Sequence, residues 1–285
     1  MLECVPNVSE GRDGDVLDAL AAACGPSLLD LHVDPDHHRS VFTLAGRRGW
    51  DALGAVVRLA VAAAARLDLR THHGVHPRLG VLDVVPFVAL DEPIQLAVDA
   101  GHLFAAWIVA ELSVPVFFYD ACADGQRDLP EVRRRAFTNL EPDMGAAEPH
   151  PKLGAVAVGA RRPLVAVNCW LDRDDLALAR SVAMAVRERD GGLPAVRALG
   201  LRLPSRGVAQ VSMNLCDLER TGLEEACTTV RATVEARGGH VARVELVGLV
   251  PAAELARCSE AFLDWTGLGP DVTIEARLAS RAADG

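Results

Sequence analysis

Residues 72–80 read HHGVHPRLG and bring His72, His73, His76 and Arg78 into one short run. A second run, HVDPDHHR, supplies His32, Asp34, Asp36, His37, His38 and Arg39. Imidazoles and carboxylates together can ligate zinc, iron or manganese. An H-x-x-x-H spacing shares one face only inside a helix, and Gly74 and Pro77 argue against a helix here. An imidazole also titrates near neutrality, at about 6.5, so one ring can take a proton from a nucleophile and return it to a leaving nitrogen. Pro77 fixes the chain after His76, while Gly74 and Gly80 permit close backbone approach. Arg78 could hold a carboxylate in a bidentate pair, and Asp83 could orient a ring. A metal site, an acid–base site and a solvated turn all fit these letters.

Two further stretches carry polar chemistry. PHPKLGAVAVGARRP offers Lys152, Arg161 and Arg162 near an expected strand end, as an anion or cofactor loop or as a linker with a charged turn. QVSMNLCDLERTGL sets Ser212 and Asn214 on one face of an expected strand, facing a cleft or forming a polar edge.

The elements that must position these residues follow from patterning. The segments 15–24, 50–67, 93–112, 173–189, 222–237 and 252–267 predict helices. LECVPNV, SLLDLHVD, RSVFTLAG, VLDVVPFVAL, VPVFFY, AVAVGA, PLVAVNCWL, GVAQVSMNLCD and HVARVELVGLVP predict strands. The polar, Pro- and Gly-punctuated stretch 120–153 predicts a long loop around a short helix. The first half runs strand, helix, strand, strand, helix, strand, which is the split pattern of ferredoxin-like folds, although a doubly wound sheet would write similar text. The expected class is α/β (α+β), with two ferredoxin-like βαββαβ subdomains and mixed sheets, divided as 1–170 and 171–285.

Composition narrows the function. The 285 residues carry a net charge of −10 and no basic stripe interleaved with aromatics, which argues against nucleic acid as a partner. No uncharged apolar run reaches about 18 residues, so no membrane partner is expected. The N-terminus lacks a basic n-region and a long apolar run, and a cytoplasmic location is the expectation. The seven cysteines form no C-x-x-C pair, so neither a zinc ribbon nor a disulfide framework is predicted. Lys152 is the only lysine; the other basic residues are arginines.

HPRLGVLDVVPF resembles the HPRMGALDVCPF signature of the glutamate formiminotransferase family, which includes the transferase half of formiminotransferase-cyclodeaminase. ECVPNVSEGR, RSVFTLAG, VAVGARRPLVAVN, QVSMNLCDLERTGL and LVGLVP resemble further family segments in the same order, over nearly the whole chain. The resemblance implies two ferredoxin-like subdomains. It implies transfer of a formimino group between N-formimino-L-glutamate and tetrahydrofolate, giving 5-formiminotetrahydrofolate and glutamate in histidine degradation. It makes His76 the catalytic acid/base and assigns folate to Gly145, Ala146, Ala147, Glu148, Pro149, His150, Pro151, Lys152, Leu153 and Gly154. Arg39 and Arg78 are candidates for the substrate carboxylates, with Asn168 and Asn214 as further substrate-binding candidates. Tetrahydrofolate is expected as co-substrate with no metal, and a homodimer is expected. With the sequence ending at residue 285, a single-function transferase is expected.

Three letters depart from the mammalian pattern: Val75 stands in place of glutamate, and His38 and Trp170 each in place of asparagine. They surround the expected cleft and leave open a related formimino or formyl transfer involving a different amine. A metal hydrolase built on the two His/Asp groups is the alternative from another class, and a non-catalytic folate-binding module is a third.

Overall fold

The computed structural model describes residues 1–283 apart from 47, 49, 74–77, 91, 125 and 126. The chain divides into two units, Met1–Arg162 and Pro163–Gly285.

The first unit opens with two short strands, β1 (Leu2–Cys4) and β2 (Asn7–Val8), followed by α1 (Gly14–Cys24). Asp13 caps α1 by accepting from the Val16 N–H at 3.1 Å, and Gly25 ends it at φ 63°. Strands β3 (Leu28–Asp34) and β4 (Arg39–Gly46) form a hairpin, and α2 (Asp51–Arg66) leads to β5 (Leu82–Ala89). The unit continues with α3 (Ile94–Leu112), β6 (Val116–Asp120), the short α4 (Leu129–Arg135) and β7 (Val156–Arg161). β1 and β2 both lie between β4 and β5 and pair antiparallel with each. Beyond β5 the sheet continues through β7 to β6, both pairings parallel. The result is a seven-stranded mixed sheet.

All eight positions of β5 are buried, because both faces of the sheet are covered there. Val85 and Phe87 join the main core with Leu59, Phe104 and Ile108 from α2 and α3. Val84 joins a second cluster with Phe117, Tyr119 and Val132. By length and composition α3 could cross a membrane. Its Ala97, Ala100, Gly101, Phe104, Ala105 and Ile108 are buried, which accounts for its apolar character as that of a core helix.

The second unit runs β8 (Val165–Leu171), α5 (Leu176–Val186), β9 (Val196–Leu203), β10 (Val208–Leu215), α6 (Leu223–Glu235) and β11 (Val241–Val247). It ends in α7 (Ala252–Leu255), α8 (Glu260–Thr266) and α9 (Ile274–Ala283). The strand order β11-β8-β10-β9 is antiparallel at every step. The expectation of mixed sheets therefore holds for the first unit only. In the second, each helical crossover spans an intervening antiparallel strand, so no parallel neighbours arise.

Other differences have local causes. A division after residue 170 would cut β8, whose Leu171 pairs with Val241. The helix expected over 252–267 is two helices, because Ser259 caps α8 and its N–H and hydroxyl both donate to Glu224, at 2.7 and 2.6 Å. Strand β9 and helix α9 were not expected from the pattern.

Candidate active site

The site is built around Asp83. Between Asn7 and Val8 the partner positions on β5 move from Val84 to Leu82, so Asp83 is the extra residue of a β-bulge. A bulge re-aims a side chain. Here the Asp83 carboxylate is 1% exposed, and it accepts from the Leu79 N–H at 2.7 Å and from Arg133 Nη2 at 2.5 Å. Asp128 caps the helix that carries Arg133. Arg39, at the start of β4, lies in the field of Asp83, Arg133, Asp34 and Arg78. Among the described residues, the partners of Asp83, which the sequence offers as able to orient an imidazole, are a backbone amide and a guanidinium.

The turn between β3 and β4 supplies two histidines. His37 is buried and bonded to Asp34 through both its backbone N–H, at 2.9 Å, and its ring Nδ1. Burial alone would raise the Asp34 pKa, but the two hydrogen bonds from His37, with the charges of His37 and Arg39, hold it below the ordinary value. His38 has φ 51°, a left-handed conformation that asparagine, aspartate and histidine tolerate best among residues with a side chain. Its ring stacks on His72, which follows a short turn after α2, with centroids 4.0 Å apart.

Glu10 closes the cluster from the β2–α1 connection. Its Oε1 accepts the N–H groups of Gly11, Arg12 and Asp13 at 2.8, 2.7 and 3.0 Å. Arg12 reaches the Pro35 carbonyl at 3.0 Å. Glu10, His38, Asp68 and His72 line part of a pocket of about 210 Å³. Burial, then Arg78, then His38 push the His72 pKa down to about 4.

The sequence-predicted residues fall into three groups. Arg39 and Arg78 come together in this cluster. His76, the expected catalytic residue, and Val75 lie outside the described residues. Asn168 and Asn214 belong to the second unit. Asn168 is paired with Ser212 across β8 and β10, and its Nδ2 donates to Glu245 at 3.1 Å. The Trp170 indole N–H donates to the same carboxylate at 3.2 Å, and Arg243 lies 5.0 Å from the indole centre. Asn214 is exposed.

The expected folate segment has two parts. Gly145, Ala146, Ala147, Glu148 and Pro149 are exposed. From His150 onward the chain is tied down: His150 Nδ1 accepts from the Lys152 and Leu153 N–H groups, and the Lys152 ammonium donates to the Ala64 carbonyl of α2 at 2.7 Å. The sequence repeats itself here, with HPRLG at 76–80 and HPKLG at 150–154. Their last residues, Gly80 and Gly154, form an antiparallel bridge. Among the described residues, no group of three or more His, Cys, Asp and Glu side chains is placed to hold a metal ion. Glu10 and Arg133 were missed by residue chemistry alone; the SEGR match to the family opening was the one available signal for Glu10.

Fold and site together define a two-unit α/β protein whose first unit gathers guanidiniums, carboxylates and imidazoles at one bulged strand. The description "Formiminotransferase domain, N-terminal subdomain" matches residues 1–161, and "Formiminotransferase domain" matches residues 166–269. The glutamate formimidoyltransferase of Streptococcus pyogenes serotype M1 is 37% identical, over 92% of this chain and 93% of that protein. That of Thermoplasma acidophilum is 33% identical, over 99% and 98%. The formimidoyltransferase-cyclodeaminase of Sus scrofa is 36% identical, over 88% of this chain and 50% of that protein. The chain belongs to the formiminotransferase family.

Proposed function

We propose that the chain is a glutamate formimidoyltransferase that uses tetrahydrofolate as co-substrate. The observation that carries this reading is identity of 33–37% to enzymes of that name over nearly the full length of both chains. The charge of the site supports it. N-formimino-L-glutamate carries two carboxylates, and Arg39 and Arg78 are the guanidiniums assigned to them, with bidentate pairing as the physical basis. The exposed run 145–149 is assigned to folate. Beside it lies a pocket of about 490 Å³ lined by Phe137, Leu140 and Ala147 and by the polar Thr138, Asn139 and Glu141, a mixed wall that suits a ring system carrying both apolar faces and hydrogen-bonding edges. The strand orders support reading the second unit, and the β3-β4-β1/β2-β5 part of the first, as ferredoxin-like subdomains.

In the proposed reaction, N5 of tetrahydrofolate attacks the formimino carbon and a carbon–nitrogen bond forms. His76 takes the N5 proton. The bond from that carbon to the glutamate nitrogen then breaks, and His76 gives the proton to the departing nitrogen. Holding the two substrates together supplies much of the remaining acceleration. The test is mass spectrometry of the full chain incubated with tetrahydrofolate and N-formimino-L-glutamate, alongside other formimino and formyl donors. Expected products are 5-formiminotetrahydrofolate and glutamate. Transfer only from a different donor overturns the reading.

A further inference from the structure

Two imidazoles that this reaction does not use, His38 and His72, lie face to face with ring centroids 4.0 Å apart and a tilt of 30°. Each ring meets a donor. The Gly11 N–H, shared with Glu10 Oε1, donates to His38 Nδ1 at 3.1 Å, and Arg78 Nη1 lies against both ring nitrogens of His72, nearer to Nδ1 than to Nε2. A protonated imidazole has no lone pair to accept with, so both bonds need neutral rings. A second Arg78 nitrogen reaches the His37 carbonyl at 3.5 Å, so the guanidinium is held from two sides.

The charges facing the pair are mixed. The β2–α1 connection brings Glu10 and Arg12, and the segment before β5 brings Arg78. The pocket wall adds Asp13, Arg66 and Asp68. Glu10 Oε1 lies 3.4 Å from His38 Nδ1 and alone would favour a proton there. That carboxylate oxygen already takes three backbone N–H groups, which satisfies its charge without a histidine proton. Burial is the largest influence on His38, and with Arg12 and Arg78 it outweighs Glu10, so its pKa lies below the ordinary value. A neutral ring is also what the Gly11 bond demands, so geometry and charge agree.

We propose that the stacked neutral pair His38–His72 positions the Arg78 guanidinium for a substrate carboxylate, and that protonating either ring releases it. The proposal rests on the reading that Arg78 meets the glutamate part of the substrate. His38 and His72 act through Arg78 and are positioning residues.

The test uses the full chain and the variants His38→Asn, His72→Gln and His72→Ala. Asparagine tolerates the left-handed backbone at residue 38 but offers no imidazole to stack. Glutamine keeps an acceptor for Arg78. The KM for N-formimino-L-glutamate is measured from pH 5 to 8, histidine ring titrations are followed by NMR, and L-glutamate binding is followed by calorimetry. In the wild type both rings are expected to titrate below the ordinary value of 6.5, with KM flat above it and rising at lower pH. His38→Asn and His72→Ala are expected to raise KM about five- to tenfold at pH 7 with kcat within about twofold, the scale of one ordinary net hydrogen bond, because the loss reaches the substrate only through the placement of Arg78. His72→Gln is expected to recover most of the loss. In His38→Asn the remaining ring should titrate at higher pH, carrying the rise in KM with it. KM and glutamate binding within twofold of wild type in both His38→Asn and His72→Ala, or no glutamate binding to the wild type, overturns the proposal. Absence of transfer in the wild type overturns the assigned reaction instead. In that case ring titration and glutamate binding, which need no turnover, still decide the role of the pair.

Discussion

Gly80 and Gly154 meet backbone to backbone, and a Cβ added to Gly80 would stand 2.2 Å from the Ala155 carbonyl oxygen. The contact joins the end of the histidine-bearing segment to the end of the expected folate segment. Since the neighbours are backbone atoms, no side-chain rotation can make room. Gly80→Ala is expected to cost about 2–4 kcal/mol in urea unfolding, as overpacking with a forced backbone shift. Gly14→Ala is the contrasting substitution. A Cβ there meets nothing within 4 Å, and it should be neutral or stabilise by up to about 1 kcal/mol.

Asp83 holds Arg133 from within the core. Removing one partner of a buried pair leaves the other charge uncompensated. Asp83→Ala is therefore expected to lower stability by about 3–5 kcal/mol, measured by chemical denaturation. Asp83→Asn keeps an acceptor for the Leu79 N–H and should fall between the variant and the wild type. Equal stability of all three proteins would show that the bulge does not depend on this carboxylate.

Stability should fall in two stages on acidification. His72 titrates near 4 in the fold and near 6.5 once unfolded, so between those values the unfolded chain binds more protons. The His72 contribution is complete above about 6.5 and is lost as pH falls toward 4, and His38 adds to the same direction. Asp34 acts lower. Its folded pKa lies below the ordinary 3.8, so its contribution is present above that value and is lost as pH falls through the depressed one. Urea midpoints at pH 7, 5.5 and 4.5 measure the first stage, and His72→Gln should flatten it. An unchanged slope in that variant would assign the effect to other groups.

His76→Ala is expected to lower kcat/KM about 10²–10⁴-fold, the usual contribution of a positioned proton-transfer group. Circular dichroism and urea midpoints should match the wild type. Wild-type turnover in the folded variant would remove His76 from the reaction.

Much of the fold was legible because its signals are local. Helical spacing over 50–67 and 93–112 and alternation along β10 all act within a few residues. Strand β9 was hidden by Gly200 and Arg202, which share a face with Val196 and Ala198 and interrupt its apolar alternation. Gly200 reads as a strand breaker, yet a Cβ there would stand 2.3 Å from the Arg180 nitrogen, so its absence lets α5 rest on the strand. The break between α7 and α8 depends on Glu224, far away in sequence, and no local periodicity reports it. The site divides the same way. Arg39 and Arg78 stand out by residue type beside histidines. Arg133 reaches Asp83 across 50 positions of sequence, and Glu10 acts through backbone amides that every residue possesses.

The engagement of Lys152 with the end of α2 has a practical consequence. In a chain with a single lysine, that ammonium donates to a main-chain oxygen and is half-buried. Amine-directed dyes, crosslinkers and surface-coupling reagents therefore meet one lysine side chain in this sequence, and its ammonium is already engaged with the main chain. Protection of that single ammonium in the folded protein, and its release on unfolding, gives a one-site chemical readout of whether Lys152 stays docked on α2.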